Sequence, residues 1–219
     1  MKKIITAALL GLSLNSFADS SPLWLRFCSI SPDGQTIAFS YKGDIFSVPV
    51  NGGTAKQLTT NPAYDAYPVW SPDGQKIAFA STREGSMDIY LMDKNGGVPK
   101  RLTTNSGSEI PMAFTDNDHI LFSSAIMPTA KSIFFASGTF PQTYEVDVNA
   151  SRPRLYSPMT MCDANVRSNG DILYHDVKGY EDNFRKHHRS PVTRDICLYS
   201  KGNYTKLTDF NGEDRTPIS

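Results

Sequence analysis

Short runs of β-branched and aromatic residues alternate with turn sequences along most of the chain. The decapeptide SPDGQTIAFS at Ser31–Ser40 recurs 40 positions later as SPDGQKIAFA at Ser71–Ala80. In both places an Asp-Ile pair, an Asn-Gly-Gly triplet and a Leu-Thr-Thr triplet follow in the same order, within 44–60 and 88–104. Apolar runs of this length and composition indicate strands. Asp-Gly and Asn-Gly pairs favour tight connections because they tolerate positive φ angles.

Two weaker copies of the same unit follow. Their second strands are indicated by Ile120–Ser123 and Ile172–Tyr174, and their third strands by Tyr144–Val148 and Asp195–Tyr199. Each unit therefore predicts four short strands, named a to d in chain order. Helical periodicity appears nowhere after the N-terminal segment. Repeats of about 40–50 residues with four strands each are typical of β-propeller blades.

The repeats predict an all-β fold, a β-propeller of four-stranded blades that occupies 19–219, with about four blades present. The approximate blade boundaries are 23–62, 63–106, 107–160 and 161–214. Residues 215–219 match the approach to Trp70 and predict the start of a fifth blade. Because an open propeller exposes unpaired strand edges, the alternatives are a closed four-bladed ring and the front part of a longer ring. The beginning of a fifth inner strand favours the longer, here incomplete, ring.

Strand direction decides on which face of the propeller each connection lies. Successive strands alternate in direction, so the a–b and c–d turns share one face and the b–c and d–a loops share the other. The first face carries only short turns, whereas the second receives the long segments 127–142 and 178–194. Elaborated loops on a rigid scaffold are where binding usually resides. We therefore predict that peptides or a protein partner bind to the b–c and d–a loop face.

The first 18 residues form a separate segment. Lys2 and Lys3 precede 11 mostly apolar residues, Ile4–Leu14, and Ser16-Phe17-Ala18 fits the small-x-small rule for cleavage. This pattern predicts a signal peptide cut after Ala18, and hence a periplasmic or secreted protein. The alternative is a buried N-terminal helix. The apolar stretch is too short to span a bilayer, so we expect no membrane span. The 22 basic residues balance 22 acidic ones, which argues against nucleic acid as a partner.

Several side chains are candidates for chemistry, and most have a structural explanation. Neither a catalytic residue nor a cofactor is predicted, since no G-x-S-x-G elbow or metal-ligand spacing appears. His119 and His175 flank predicted b strands and are expected to be structural. The acidic side chains that recur between units are expected to form turns by bonding to the backbone. The cysteines are expected to be buried strand residues, and the tryptophans are expected in the core between blades. These residues are Asp33, Asp73, Asp88, Cys28, Cys162, Cys197, Trp24 and Trp70.

Two loop segments are the candidate binding residues. One is a basic segment whose arginines could bind an anion or a peptide carboxylate; a solvated or locally packed basic loop is the alternative. The other is a Phe-Phe pair that could contact a peptide. The residues are Arg185, His187, His188, Arg189 and Arg194 in the first segment, and Phe134 and Phe135 in the second.

The motifs W-S-P-D-G, I-A-F-x-S, N-G-G and R-L-T-T resemble the TolB-like, WD-repeat-like propeller repeat. The insert with Lys178–Asp182, the adjacent histidines 187 and 188, and Thr193–Ile196 more specifically resembles exported bacterial homologues of tricorn protease, over essentially the whole mature chain. The third repeat departs from the pattern, with Asn117-Asp118 in place of Asp-Gly.

The resemblance implies two propellers, a PDZ module and a C-terminal serine-protease region, with this chain covering part of the first propeller. It implies that this chain scaffolds a protease domain that is absent from it, and that it gates or binds the peptide substrate of that domain. It also implies that copies associate into a homo-oligomer. No family catalytic residue can be transferred, so whether the chain itself is an enzyme stays open. The alternative is a free-standing TolB-like periplasmic propeller that binds a protein partner. An unrecognised hydrolase is a third hypothesis.

Overall fold

The computed structural model describes residues 24–126, 141–149, 152–179, 192–210 and 212–218. These residues contain 16 strands and no helix. The strands of the first two sheets are β1 Arg26–Ile30, β2 Thr36–Tyr41, β3 Asp44–Pro49, β4 Lys56–Gln57, β5 Asp65–Trp70, β6 Lys76–Glu84, β7 Ser86–Asp93 and β8 Gly96–Arg101. Those of the other two are β9 Glu109–Phe114, β10 His119–Ser124, β11 Gln142–Asp147, β12 Arg154–Ser157, β13 Cys162–Val166, β14 Ile172–His175, β15 Ile196–Ser200 and β16 Asn203–Lys206.

The strands form four antiparallel sheets of four strands, each in simple chain order. We call them blade 1 (β1–β4), blade 2 (β5–β8), blade 3 (β9–β12) and blade 4 (β13–β16). Neighbouring blades pack through their inner strands, since β5 contacts β1, β9 contacts β5 and β13 contacts β9. The predicted all-β propeller of four-stranded blades is therefore confirmed. No helix in the described part of the chain is long and apolar enough to cross a bilayer.

The core consists of three apolar clusters, each lying between two neighbouring blades. Between blades 1 and 2, Ala38, Ile45 and Leu58 of blade 1 pack against residues of blade 2 that include Ile77. The next residue, Ala78, belongs instead to the cluster between blades 2 and 3. Successive side chains of a strand point to opposite faces of the sheet, so each middle strand contributes to the core on both sides.

Equivalent apolar side chains are buried between blades but exposed on the outer faces of the first and last blades. Leu58 and Leu102 hold equivalent positions after the d strands and are only 6% and 4% exposed. Leu207 holds the same position in blade 4 and is 51% exposed. At the other end of the stack, Ile30 on blade 1 is 57% exposed. The repeated sequence thus presents, at both ends, the kind of surface that it buries between blades.

Three of the four inner strands carry a bulge with a non-glycine residue in the left-handed region. Phe27, Tyr67 and Asp163 have φ angles of 53°, 57° and 48°, and each lies where the pairing register with the b strand shifts. Thr216 repeats this conformation with a φ of 53°. A bulge re-aims side chains, and these residues line the centre of the propeller.

Local hydrogen bonds explain why the SPDG motif recurs. The Asp33 carboxylate accepts from Ser31 Oγ at 2.5 Å and from the Gln35 amide at 3.0 Å. The same contacts recur around Asp73, at 2.6 and 3.0 Å. These bonds hold the pKa of both carboxyls below its usual value. The prediction that Asp33 and Asp73 form turns is confirmed.

The d strands end earlier than the Leu-Thr motif suggests. β4 stops at Gln57, and Thr59 instead accepts the Ile45 amide through its Oγ1 at 3.0 Å. Thr103 binds the Ile89 amide in the same way, at 2.9 Å. A hydroxyl thus replaces the next backbone acceptor of the ladder, and the chain leaves the sheet toward the following blade.

Three sequence predictions are wrong. Asp88 forms no turn; it lies within β7, is fully buried and pairs with Arg101 Nη2 at 2.7 Å. Trp24 is not in the core, because it precedes β1 and is 74% exposed. Cys28 is exposed rather than buried, since it lies on the uncovered blade 1.

Candidate functional site

The inner strands of all four blades surround a cavity on the axis of the propeller, with a volume of about 720 Å³. We call it the axial cavity. Its wall is mainly apolar and includes Val69, Ile110, Met112 and Ile218. The bulges place two aromatic rings there, those of Phe27 and Tyr67, with centroids 3.9 Å apart. The cavity volume lies in the range of pockets that hold small ligands or a few side chains of a larger one.

Polar side chains of the axial cavity lie at the junction of blade 4 with the segment 212–218, and also on blades 1 and 3 as Ser29 and Ser123. Asp163 is the one ionisable carboxylate among the described lining residues. Its Oδ2 accepts from Thr216 Oγ1 at 2.8 Å. The Asp214 amide donates to the Arg194 carbonyl at 3.0 Å, as the Asp65 amide does to Gly43 at 2.8 Å. The segment 212–218 therefore follows blade 4 as β5 follows blade 1.

Arg194 is the one predicted binding residue that the structure describes. Its Nη1 lies 2.7 Å from Nε2 of His175, a buried ring. Burial lowers the pKa of His175, and the charges of Arg194 and Arg215 add to this effect against the opposing influence of Asp163. The imidazole is therefore neutral at pH 7 and accepts the guanidinium N–H. This contact gives His175 a structural role and holds Arg194 against a ring whose Nδ1 lies 3.6 Å from Oδ2 of the cavity residue Asp163.

The other predicted contacts lie outside the described residues. They are Phe134, Phe135, Arg185, His187, His188 and Arg189. Their positions relative to the axial cavity stay predictions, as does the signal peptide at 1–18.

A cluster of buried charges lies at the loop-side ends of blades 2 and 3, and the sequence reasoning missed it. Asp65 Oδ2 accepts from Arg83 Nη2 at 2.7 Å, and Asp88 pairs with Arg101 at the same distance. Glu109 is 0% exposed beside this second pair. Burial raises the pKa of Glu109 to about 7. The charge of Asp88 adds to this increase, whereas the hydrogen bond from Thr103 and the charge of Arg101 oppose it. Its alignment with Asp65 at the start of strand a was the signal that could have revealed it.

The described residues contain no group of three or more His, Cys, Asp or Glu side chains placed to hold a metal ion. Burial raises the pKa of the Cys162 and Cys197 thiols. Both thiols therefore stay protonated near neutral pH, which makes them poor nucleophiles.

Similar solved structures share this architecture. A TolB structure from Agrobacterium tumefaciens matches 86% of this chain and 69% of its own, with a TM-score of 0.64 and 26% identity. The tricorn protease structure matches 89% of this chain and 19% of its own, with a TM-score of 0.66. Its 19% identity makes this a likeness of fold alone.

Sequence comparison points to the same group of proteins. Tricorn protease homolog 1 of Streptomyces coelicolor is 36% identical over 72 residues, which are 33% of this chain but 7% of that protein. The aligned part thus spans a small fraction of that relative. The model of the tricorn protease N-terminal β-propeller domain matches residues 22–219, nearly the whole chain. This protein therefore belongs to the tricorn protease N-terminal β-propeller family.

Proposed function

We propose that this chain is the non-catalytic propeller portion of a periplasmic tricorn-like serine peptidase. In this role it scaffolds a separate protease domain and binds or gates the peptides that this domain cleaves. Family membership supports the scaffold role, and the protonated thiols and the engaged His175 support the absence of catalysis in this part.

The axial cavity is the observation that carries the peptide-binding proposal. Its volume of about 720 Å³ and its apolar wall suit the side chains of an unfolded peptide, which are exposed to water before binding. The one carboxylate of the lining, Asp163, lies at the junction of blade 4 and 212–218, so a peptide meets a negative charge at one end of the cavity only. We propose that gating acts at the same place, because the rings of Phe27 and Tyr67 line the axial cavity and contact each other.

The loop face remains the proposed route to this cavity. The predicted contacts Arg185, His187, His188 and Arg189 belong to a b–c connection, as do Phe134 and Phe135. Arg194 lies at the end of the first of these connections and contacts His175, whose Nδ1 lies 3.6 Å from Oδ2 of the cavity residue Asp163. We propose that these side chains contact the peptide before it reaches the axis.

A charged substitution in the cavity wall tests the proposal. Ile110→Arg places a cation in the apolar wall, and Val98→Arg places one on β8, where Val98 is 97% exposed. Binding of fluorescent unfolded peptides is measured by anisotropy, with circular dichroism as the check on folding. We expect about a tenfold loss for Ile110→Arg and no loss for Val98→Arg. Equal binding by both variants and the parent chain would refute the role of the cavity.

The alternative function is that of a free-standing TolB-like propeller that binds a folded protein partner. The 26% identity to the Agrobacterium TolB structure, over 86% of this chain, favours it. The two functions differ in ligand. Binding of a folded envelope protein without binding of unfolded peptides would select the TolB-like function.

Periplasmic location and self-association belong to the same proposal. Expression with residues 1–18 intact should yield a periplasmic product whose measured mass corresponds to a chain that starts at Asp19. Size-exclusion chromatography with light scattering should show an assembly of more than one copy. A product of full mass in the cytoplasm would contradict export, and a monomer at all concentrations would contradict oligomerisation of this portion.

A further inference from the structure

A second concave site lies on the loop side of blade 1, between the b–c turn and the d–a loop. Its volume is about 640 Å³, and none of its lining residues belongs to the axial cavity. We call it the blade 1 pocket and define it by Trp24, Arg26, Tyr41, Lys42 and Tyr64. No residue of this set was among the binding residues predicted from the sequence.

The pocket contains two cations, and each lies on an aromatic ring. The Arg26 guanidinium is 5.2 Å from the centroid of the Trp24 ring, and Lys42 Nζ is 5.3 Å from that of Tyr41. Neither cation forms a salt bridge with a carboxylate in the described part of the chain. A cation–π contact attracts the charged group to the face of the ring. A guanidinium carries five N–H donors and an ammonium three, so each cation keeps donors that are not directed at the ring and can bind a ligand.

Hydrogen bonds fix the two loops that form the pocket walls. Lys42 and Gly43 occupy the tight β2–β3 turn with φ angles of 51° and 91°, and the Gly43 carbonyl accepts the Asp65 amide at 2.8 Å. In the facing loop, the Ala63 amide donates to Asn61 Oδ1 at 2.9 Å and the Tyr64 amide to Thr82 Oγ1 at 3.0 Å. The pocket is thus built before any ligand arrives, which lowers the entropy lost on binding.

The charge of the pocket is positive despite one lining carboxylate. Asp44 accepts hydrogen bonds from Gln57 Nε2 at 2.9 Å and Thr59 Oγ1 at 3.1 Å, so its oxygens are directed to neutral donors on the d side. Two cations and one carboxylate leave a net charge of +1 among the lining residues. Three aromatic side chains beside these cations add apolar surface for a neighbouring group.

We propose that the blade 1 pocket binds a peptide carboxylate, held by Arg26 and Lys42, with the adjacent apolar side chain against Tyr64 and Trp24. Arg and Lys N–H groups form charge-assisted hydrogen bonds with carboxylates. The carboxylate can come from the C terminus of the peptide or from an Asp or Glu side chain. This inference rests on the proposed peptide-binding function and gives it a second, chemically distinct subsite.

The chain offers a built-in reporter and a matched control for the test. It has only two tryptophans, so Trp70→Phe leaves Trp24 as the single indole and its fluorescence reports on the pocket. Lys201 and Gly202 form the same kind of turn on the opposite face, with φ angles of 49° and 85°. Arg152 is also exposed, before β12 on that face. The double variant Arg152→Gln/Lys201→Gln therefore removes the same charges as Arg26→Gln/Lys42→Gln.

Three peptides of one apolar sequence are titrated: the free acid, the C-terminal amide, and the amide with one internal Asp. We expect the C-terminal amide without Asp to bind about tenfold more weakly than at least one of the other two peptides. Tighter binding of the free acid identifies the C-terminal carboxylate as the ligand, and tighter binding of the Asp peptide identifies a side-chain carboxylate. Arg26→Gln/Lys42→Gln should remove this difference, and Arg152→Gln/Lys201→Gln should preserve it. Lys42→Gln alone should reduce the difference in affinity between the peptides. Because Lys42 is exposed, this single variant tests the proposal even if the double variant does not fold.

Each other outcome overturns a defined statement. Equal binding of all three peptides refutes the carboxylate pocket while the proposed peptide-binding function stands. Binding that is lost in Ile110→Arg but unchanged in Arg26→Gln/Lys42→Gln assigns recognition to the axial cavity alone and also refutes the pocket. Absence of binding by every peptide refutes both proposals.

Discussion

The equivalent leucines after the d strands provide a direct test of how this protein is stabilised. Leu102 lies in the cluster between blades 2 and 3 and is 4% exposed, whereas Leu207 is 51% exposed on the uncovered face of blade 4. Their local sequences are nearly the same, because both precede a threonine whose hydroxyl binds the amide of a c strand. Truncation to alanine therefore changes the same side chain in two states of burial.

Burial sets the expected magnitudes. A buried Leu→Ala substitution loses the transfer free energy of the removed atoms and leaves a cavity, so Leu102→Ala should lower the free energy of unfolding by about 3 kcal/mol. Leu207→Ala leaves no closed cavity because water reaches the site. With half of the side chain already in water, the loss should be about 1 kcal/mol or less.

Urea unfolding monitored by circular dichroism measures the difference. With a slope of about 2 kcal/mol per molar urea, Leu102→Ala should lower the midpoint by about 1.5 M, and Leu207→Ala by about 0.5 M or less. Leu58→Ala is the control, since Leu58 is 6% exposed between blades 1 and 2 and should behave as Leu102 does. Equal losses for Leu102→Ala and Leu207→Ala would refute the reasoning, because they would show that the face of blade 4 is covered in solution.

Three further predictions concern buried charges and a close backbone approach. Because burial raises the pKa of Glu109 from 4.5 to about 7, the folded state retains a proton that the unfolded chain releases. The free energy of unfolding should therefore fall as the pH rises from about 4.5 to 7. Glu109→Gln should remove that part of the pH dependence of the urea midpoint. Arg83→Met should lower the free energy of unfolding by about 3 kcal/mol, because Asp65 is fully buried and loses its ion pair. Gly96→Ala should cost about 2 kcal/mol, because its φ is 90° and a Cβ would lie 2.9 Å from the Leu58 carbonyl oxygen.

A contradicting outcome checks the first of these predictions, and a matched variant checks each of the other two. An unchanged pH profile in Glu109→Gln would show that Glu109 is ionised in the folded protein. Asp65→Asn added to Arg83→Met should recover part of the lost stability, and additive losses would contradict an uncompensated buried charge. Gly97→Ala has a φ of 116° but meets no atom within 4 Å, so it should cost less than Gly96→Ala. An equal cost would attribute the effect to backbone strain alone.

The repeated strand pattern was sufficient to predict the blades. Ile77 and Ala78 belong to clusters on opposite sides of one sheet, as their alternation requires. The turn role of Asp33 and Asp73 was equally accessible, because the bonds that define it join residues within five positions of each other. Interactions of this short range depend little on the rest of the fold.

Side chains with long-range partners were predicted less well. Asp88 resembles the turn-forming acids in its recurrence, yet it pairs with Arg101 on the neighbouring strand inside a buried cluster. Trp24 and Cys28 have the composition of core residues but lie at the uncovered end of the stack. Burial depends on which element covers a surface, and that information lies far away in the chain.

The strands, their alternation and the tight turns are predictable from the sequence, since they follow from φ preferences and hydrogen bonds between near neighbours. The packing of the blades decided which copies of the repeat are covered. The tertiary structure also decided that inner-strand bulges form an axial cavity and that Arg26 and Lys42 face one pocket. The covered faces and the axial cavity arise where separate blades pack together, and the pocket arises where β1, the β2–β3 turn and the d–a loop of blade 1 meet. A pattern along one strand contains none of these contacts.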